Sequence, residues 1–255
     1  MQKKTILILS AIIVVVVLCL VFTKGIFFKT KEPAKVKVAI IIDDWGYNLH
    51  YLKLLKEINV PITISILPNL RYSTKIAEIA KEQGKEIILH LPLEPEREGR
   101  QIGLEEHTIT SDMSQDEIVT TLKLALTSVP YASGASNHMG SRATKDKRLM
   151  SAVFAELKRK KMFFLDNLVT TQSVCGELAQ QMQVKFATRN VFLDNEDNQE
   201  YIKGQLDQLS EFAQEYREAV GIGHARRNTL KVLKEEIAAM QAKGIKFVFI
   251  SELVQ

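Results

Sequence analysis

The chain has 255 residues, with 34 lysines and arginines against 30 aspartates and glutamates, a formal net charge of +4. Residues 1–37 hold seven lysines and one glutamate, so the remainder carries 27 basic against 29 acidic residues and shows no basic field for a nucleic-acid partner. Of two cysteines, only Cys175 lies outside an apolar N-terminal run, which excludes an intrachain disulfide framework.

After a short tail over residues 1–4, Thr5 to Phe22 form an 18-residue run without charge, proline or glycine. At about 1.5 Å per residue it is just long enough for a hydrocarbon layer of about 30 Å, and no small-x-small cleavage pattern follows. The run predicts an uncleaved signal anchor over 5–23, a membrane-spanning helix followed by a basic stalk over 24–35 and one domain over 36–255. Lysines flank the span on both sides, more of them after it, so the charge rule does not favour export. They suit contact with lipid headgroups.

From residue 36 apolar runs alternate with amphipathic stretches. "VKVAIII" (36–42), "ITISIL" (62–67) and "KEIILH" (85–90) predict strands, with helices over 51–58 and 73–83 between them. Leu91 to Met113 reads as a long functional loop, and "SQDE" opens a helix over 114–129. Strands then follow over 132–138, 162–166, 184–187, 219–224 and 245–250, separated by helices over 145–159, 173–182, near 198–218 and 228–242. About eight strands, nearly all followed by helices, predict an α/β fold with parallel strands and right-handed crossovers, either a closed irregular (β/α) barrel or an open sheet.

Polar residues terminate these strands: Asp43 and Asp44, Asn69, His90, Asn137 and His138, Asp166 and Asn167, then His224. In a β/α barrel such ends share one face. Three of the five histidines stand there, beside an aspartate pair whose like charges a cation would offset. Adjacent aspartates on a straight strand face opposite sides, but a turn through Gly46 can relax that alternation. One Asp and two imidazoles suit a borderline divalent ion with an open coordination position. Trp45 and Tyr47 are candidate pocket walls or, equally, core residues. "HARR" (224–227) could help bind phosphate or carboxylate, or simply start a helix. The "GIG" run is no dinucleotide fingerprint and no P-loop is present, so no nucleotide cofactor is expected.

"IIIDDWG", "EIILHLPLEP", "SNHMGSRAT", "FFLDN", "RNVFLDN" and "GIGHARRNTL", taken in order, resemble the recurrent segments of the divergent polysaccharide deacetylases, over nearly all of 36–254. The resemblance implies an irregular (β/α) barrel of seven or eight strands and a divalent cation, most simply zinc, bound by Asp-His-His. It implies Asp43 as catalytic base, Asp44 as metal ligand and His90 as a second ligand. Glu94 stands where classical members carry the other histidine, so His138 is the expected replacement and Glu94 the alternative ligand. His224 would be the general acid, oriented by Asp166. Arg142 and Arg189 are candidates for binding substrate anions, for fixing a carboxylate or for a purely structural role, Trp45 is a candidate for substrate binding, and Asp194 has no derived role.

The implied activity is removal of acetyl groups from an envelope polysaccharide or amino sugar by a single-pass membrane protein with an extracytoplasmic domain. Two alternatives use the same residues. One is a metal phosphoesterase; the other is a non-catalytic glycan-binding or envelope-structural protein on a deacetylase fold, for which Glu94 in place of histidine argues.

Overall fold

The computed structural model describes residues 36–96 and 105–255. Among the described residues nine strands alternate with seven α-helices: β1 (Val36–Trp45), α1 (Leu52–Lys56), β2 (Thr63–Ile66), α2 (Ser73–Glu82), β3 (Glu86–Leu93), α3 (Gln115–Ser128), β4 (Gly134–Met139), α4 (Lys147–Arg159), β5 (Phe163–Asp166), α5 (Cys175–Met182), β6 (Phe186–Thr188), β7 (Val191–Phe192), α6 (Gln199–Tyr216), β8 (Glu218–His224), α7 (Arg227–Ala242) and β9 (Ile245–Val248). All ladders between them are parallel.

The strands read as unbroken apolar runs because both faces are covered. One face carries Ala39, Ile41, Ile88, Phe163, Leu165, Val220, Ile222 and Val248, which pack together as an inner cluster. The residues between them in sequence, such as Val38, Ile40, Ile42, Leu89 and Ala219, pack outward in a second cluster with the helices. Local signals agree with this plan. The Ser114 hydroxyl accepts from the Glu117 amide at 3.3 Å while the Glu117 carboxylate accepts from the Ser114 amide at 2.8 Å, the capping box written in "SQDE".

The sheet runs in the order β6-β5-β4-β3-β2-β1-β8-β7, with β9 paired to the start of β1. Its end strands β6 and β7 share no ladder, yet only Arg189 and Asn190 separate them in the chain. A connection that short spans at most about 10 Å, so the sheet must curl until its two edges nearly meet. The result is a parallel half-barrel whose gap is bridged by the chain. The strand expected over 184–187 is found as β6, and a further short strand, β7, follows after two residues as the chain trades its β5 partner for β8.

Two further expectations are corrected. The predicted membrane-spanning anchor over 5–23 and the stalk over 24–35 lie outside the described residues, and among the described residues no helix is long and apolar enough to cross a membrane. The transmembrane helix, the membrane partner and the single-pass membrane location find no support among the described residues and are not carried further. Strand β3 also continues past His90 to Leu93, through Pro92. Proline is tolerated there because Pro92 faces the returning loop through its carbonyl, which accepts from the Ile109 amide at 2.9 Å, while the Glu94 amide donates to the Ile109 carbonyl at 3.0 Å. The long segment is therefore tied back to the sheet.

Candidate active site

Strand periodicity builds the site. Side chains two apart share a face, so each inner apolar row ends on a polar side chain at the C-terminal mouth of the sheet. Ala39 and Ile41 lead to Asp43, Ile88 to His90, Phe163 and Leu165 to Asn167, and Val220 and Ile222 to His224. On β4 the row is Gly134, Ser136 and His138. A Cβ at Gly134 would collide with the ring of Phe163, so the glycine makes room for the inner cluster below the site.

Asp44 would face away from this centre on a regular strand. Its backbone takes φ of 64°, in the left-handed region, and the register between β1 and β2 slips between Ile42 and Trp45. The expected relaxation of alternation therefore occurs at Asp44 itself, one of the residue types that tolerate this conformation. Asp44 Oδ1 lies 3.2 Å from His90 Nε2 and 3.2 Å from His138 Nδ1. The two ring nitrogens are 3.2 Å apart. Asp44, His90 and His138 are the group found among the described residues that could hold a metal ion.

The donors fit a divalent cation. A tetrahedral zinc with ligands at about 2.0–2.1 Å spaces them about 3.3 Å apart. Asp44 Oδ1 is buried and makes no hydrogen bond, despite its two near nitrogens. His90 Nδ1 meets Ser136 Oγ at 2.9 Å, and Ser136 Oγ meets Ser65 Oγ at 2.8 Å. A proton on Nδ1 leaves the His90 Nε2 lone pair directed at the cluster. Burial pushes the Asp44 carboxyl up, but the adjoining His138 and His90 rings and the charge of His224 outweigh it and hold the group far below the usual carboxylate range.

Asp43 is buried beneath the cluster. Its Oδ2 accepts from Asn167 Nδ2 at 2.8 Å and lies 3.6 Å from His90 Nε2, while its Oδ1 is buried without a hydrogen bond. Burial chiefly raises its affinity for a proton, with Asp44 adding to that and His90 and His224 opposing it. Asn167 is itself fixed. Its amide N–H donates to Asn137 Oδ1 at 2.8 Å and its carbonyl accepts from Arg189 Nε at 2.8 Å.

On the other side, His224 Nε2 lies 3.7 Å from Asp44 Oδ2. His224 Nδ1 is 2.9 Å from Asp194 Oδ1, and the His224 amide donates to Asp194 Oδ2 at 2.8 Å. Thr229 Oγ1 also donates to Oδ2, at 2.5 Å. Burial disfavours the charged imidazole, but Asp194, through its hydrogen bond and charge, outweighs this and raises the His224 pKa, with Asp44 and Asp43 adding to it.

Asp194, fully buried, thus takes the orienting position expected of Asp166. Asp166 belongs to the opposite row of β5. It accepts from the Leu168 amide at 2.9 Å and from Ser173 Oγ at 2.5 Å, fastening the loop before α5. Glu94 is likewise turned to the long loop, accepting from the Ser111 amide at 2.7 Å with Arg142 Nη1 3.7 Å away. It is not in the ligand cluster, and His138 fills the place. Arg189, bonded to the Asn167 and Leu168 carbonyls, lies over the Phe192 ring at 4.9 Å. Arg189 thus fastens the 167–168 turn, while Arg142 stands beside Glu94. Trp45 is buried, and it borders a cavity of about 170 Å³ together with Asp44, Tyr47 and His224.

Comparison with known proteins agrees with this geometry. The uncharacterized protein YibQ of Escherichia coli (strain K12) is 33% identical over 201 residues, covering 79% of this chain and 62% of the relative. This chain thus spans less than two thirds of that relative's length. The crystal structure of the uncharacterized protein ATU2773 from Agrobacterium tumefaciens C58 matches with a TM-score of 0.80 at 22% identity, over 88% of this chain and 91% of that one. BA3943, a CE4 family pseudoenzyme from Bacillus anthracis, matches with a TM-score of 0.51 at 16% identity, over 87% and 66%. At these identities the two structures speak for the fold alone. The family model described as divergent polysaccharide deacetylase matches residues 40–254, and the chain belongs to that family.

Proposed function

We propose that the chain is a metal-dependent hydrolase that removes acetyl groups from a glycan. The observation that carries this reading is the triangle of Asp44, His90 and His138 donor atoms, flanked by a proton acceptor, Asp43, and a proton donor, His224. A pseudoenzyme on a similar fold makes fold a weak argument for activity, so the reading rests on the side chains. Glu94 in place of a histidine favours a non-catalytic protein, whereas His138 at the cluster supports the hydrolase reading.

Asp44, His90 and His138 would hold the cation. When bound, it would lower the pKa of a water and polarise the acetyl carbonyl. Asp43, whose burial raises its proton affinity and whose Oδ1 is without a partner, takes a proton from the attacking water. The water oxygen forms a bond to the carbonyl carbon, and the bond from that carbon to the glycan nitrogen or oxygen breaks. His224 gives its Nε2 proton to the departing group, and Asp194 holds the imidazolium through Nδ1. Acetate and the free amine or hydroxyl are the products.

The test is acetate release from acetylated amino-sugar oligomers by the zinc-loaded protein, compared with Asp43→Asn. We expect release that falls by about 10²-fold to 10⁴-fold in the variant. Equal release from both, or none from a protein that binds zinc stoichiometrically, would refute the reading.

A further inference from the structure

Arg226 carries a charge that the proposed chemistry leaves unused. Its Nη1 donates to the Asp194 carbonyl at 2.9 Å, and its other guanidinium donors have no partner among the described residues. No carboxylate lies within ion-pair distance of it among the described residues. The carboxylate of Asp194 does not serve, because it is already taken by the His224 amide, His224 Nδ1 and Thr229. A half-buried guanidinium has five donors in a planar fork, and one carbonyl bond anchors it without filling the fork.

The same side chain lines the cavity of about 170 Å³ shared with Asp44, Trp45, Tyr47, Tyr51 and His224. The volume falls below the about 300–1,000 Å³ of sites that enclose drug-sized ligands, so it suits one sugar unit or one substituent. Tyr47 and Tyr51 offer aromatic walls and Arg226 offers the one cation among the lining residues other than His224. We infer that this cavity is a subsite for an acidic sugar, with a carboxylate substituent received by the open edge of Arg226 beside the acetylated position. A carboxylate matches the fork bidentately, whereas a neutral hydroxymethyl leaves the charge unpaired. The assignment rests on the reading of the site as a glycan hydrolase, and it accounts for the first arginine of "HARR", which that reading leaves idle.

The test uses the full-length, zinc-loaded protein and two probes differing only at one carbon, methyl α-D-glucuronide and methyl α-D-glucoside, titrated by NMR. We expect the glucuronide to bind about 10-fold tighter or more, the scale of one hydrogen bond to a charged group. Arg226→Gln should abolish that preference while keeping the thermal midpoint and zinc content, and Arg226→Lys should retain part of it. Equal binding of both probes by the parent overturns the inference, as does a preference that survives in Arg226→Gln. Acetate release, measured on the same protein, separates the two readings. Release without a probe preference leaves the hydrolase and removes the subsite; a preference lost in Arg226→Gln without release supports the acidic-sugar subsite and removes the hydrolase. Neither preference nor release overturns both.

Discussion

Replacing Asp194 by asparagine exchanges one carboxylate oxygen for an amide group where three donors converge: His224 N at 2.8 Å, His224 Nδ1 at 2.9 Å and Thr229 Oγ1 at 2.5 Å. An amide cannot accept at both positions. With its NH2 toward His224 Nδ1, the ring is driven to the tautomer that keeps its proton on Nε2, and the buried charge that stabilises the imidazolium is gone. With its NH2 toward the backbone, the His224 amide loses its acceptor. Either arrangement costs about 1.5–3 kcal/mol of folding stability for a lost hydrogen bond to a charged group. That is a fall in melting midpoint of about 2–4 °C per kcal/mol for a domain of this size. Acetate release should fall by about 10²-fold to 10⁴-fold, or about 2.7–5.5 kcal/mol of barrier, mainly in kcat. Zinc content should be unchanged, because Asp194 is not among the donors at the cluster. Asp166→Asn is the comparison, since Asp166 bonds only its own loop and its loss should lower the midpoint but not the rate. A rate within about twofold of the parent in Asp194→Asn, or a large rate loss in Asp166→Asn, refutes the assignment.

Asn167→Ala removes the 2.8 Å hydrogen bond to Asp43 and should lower kcat by about 10-fold or more with zinc binding retained; zinc loss measured by metal analysis would contradict the separation of base from ligands. Glu94→Gln should leave zinc affinity unchanged while making the 105–113 segment easier to cleave, as read by limited proteolysis, because Glu94 holds the Ser111 amide and not the cation. Burial, with the charge of Asp166 adding to it, pushes the Cys175 thiol up to about 12, so peptide mapping should find it unalkylated at pH 8 in the native protein and labelled in denaturant. Gly134→Ala should destabilise the fold by about 1–3 kcal/mol through collision with Phe163, seen in denaturant unfolding.

Much of the site was written in the strand pattern. Rows of alternating residues that end at Asp43, His90, His138 and His224 can be found by counting in twos from the apolar cores of their strands. The same counting excludes Asp166, which follows Leu165 on the opposite face, and points to Asn167 instead. Asp194 carries a comparable signal, since "VFLDN" repeats the apolar run and acidic end of "FFLDN", but its partner His224 stands 30 residues on and only the pairing of β7 with β8 brings them together. The division of β6 from β7 has no local cause in the sequence; it depends on which neighbour each half meets. The left-handed turn at Asp44 is similarly a demand of the assembled mouth. The anchor read from the hydropathy of residues 5–23 lies outside the described residues.

The central claim is that Asp44, His90 and His138 bind one divalent cation per chain. Metal analysis and zinc titration of the parent, His138→Ala and Asp44→Asn test it directly. We expect one zinc per parent chain, and a loss of affinity in each folded variant beyond the about 10–100-fold that follows removal of a residue merely supporting a ligand. A parent that binds no stoichiometric cation, or variants that bind it as tightly as the parent, would contradict it.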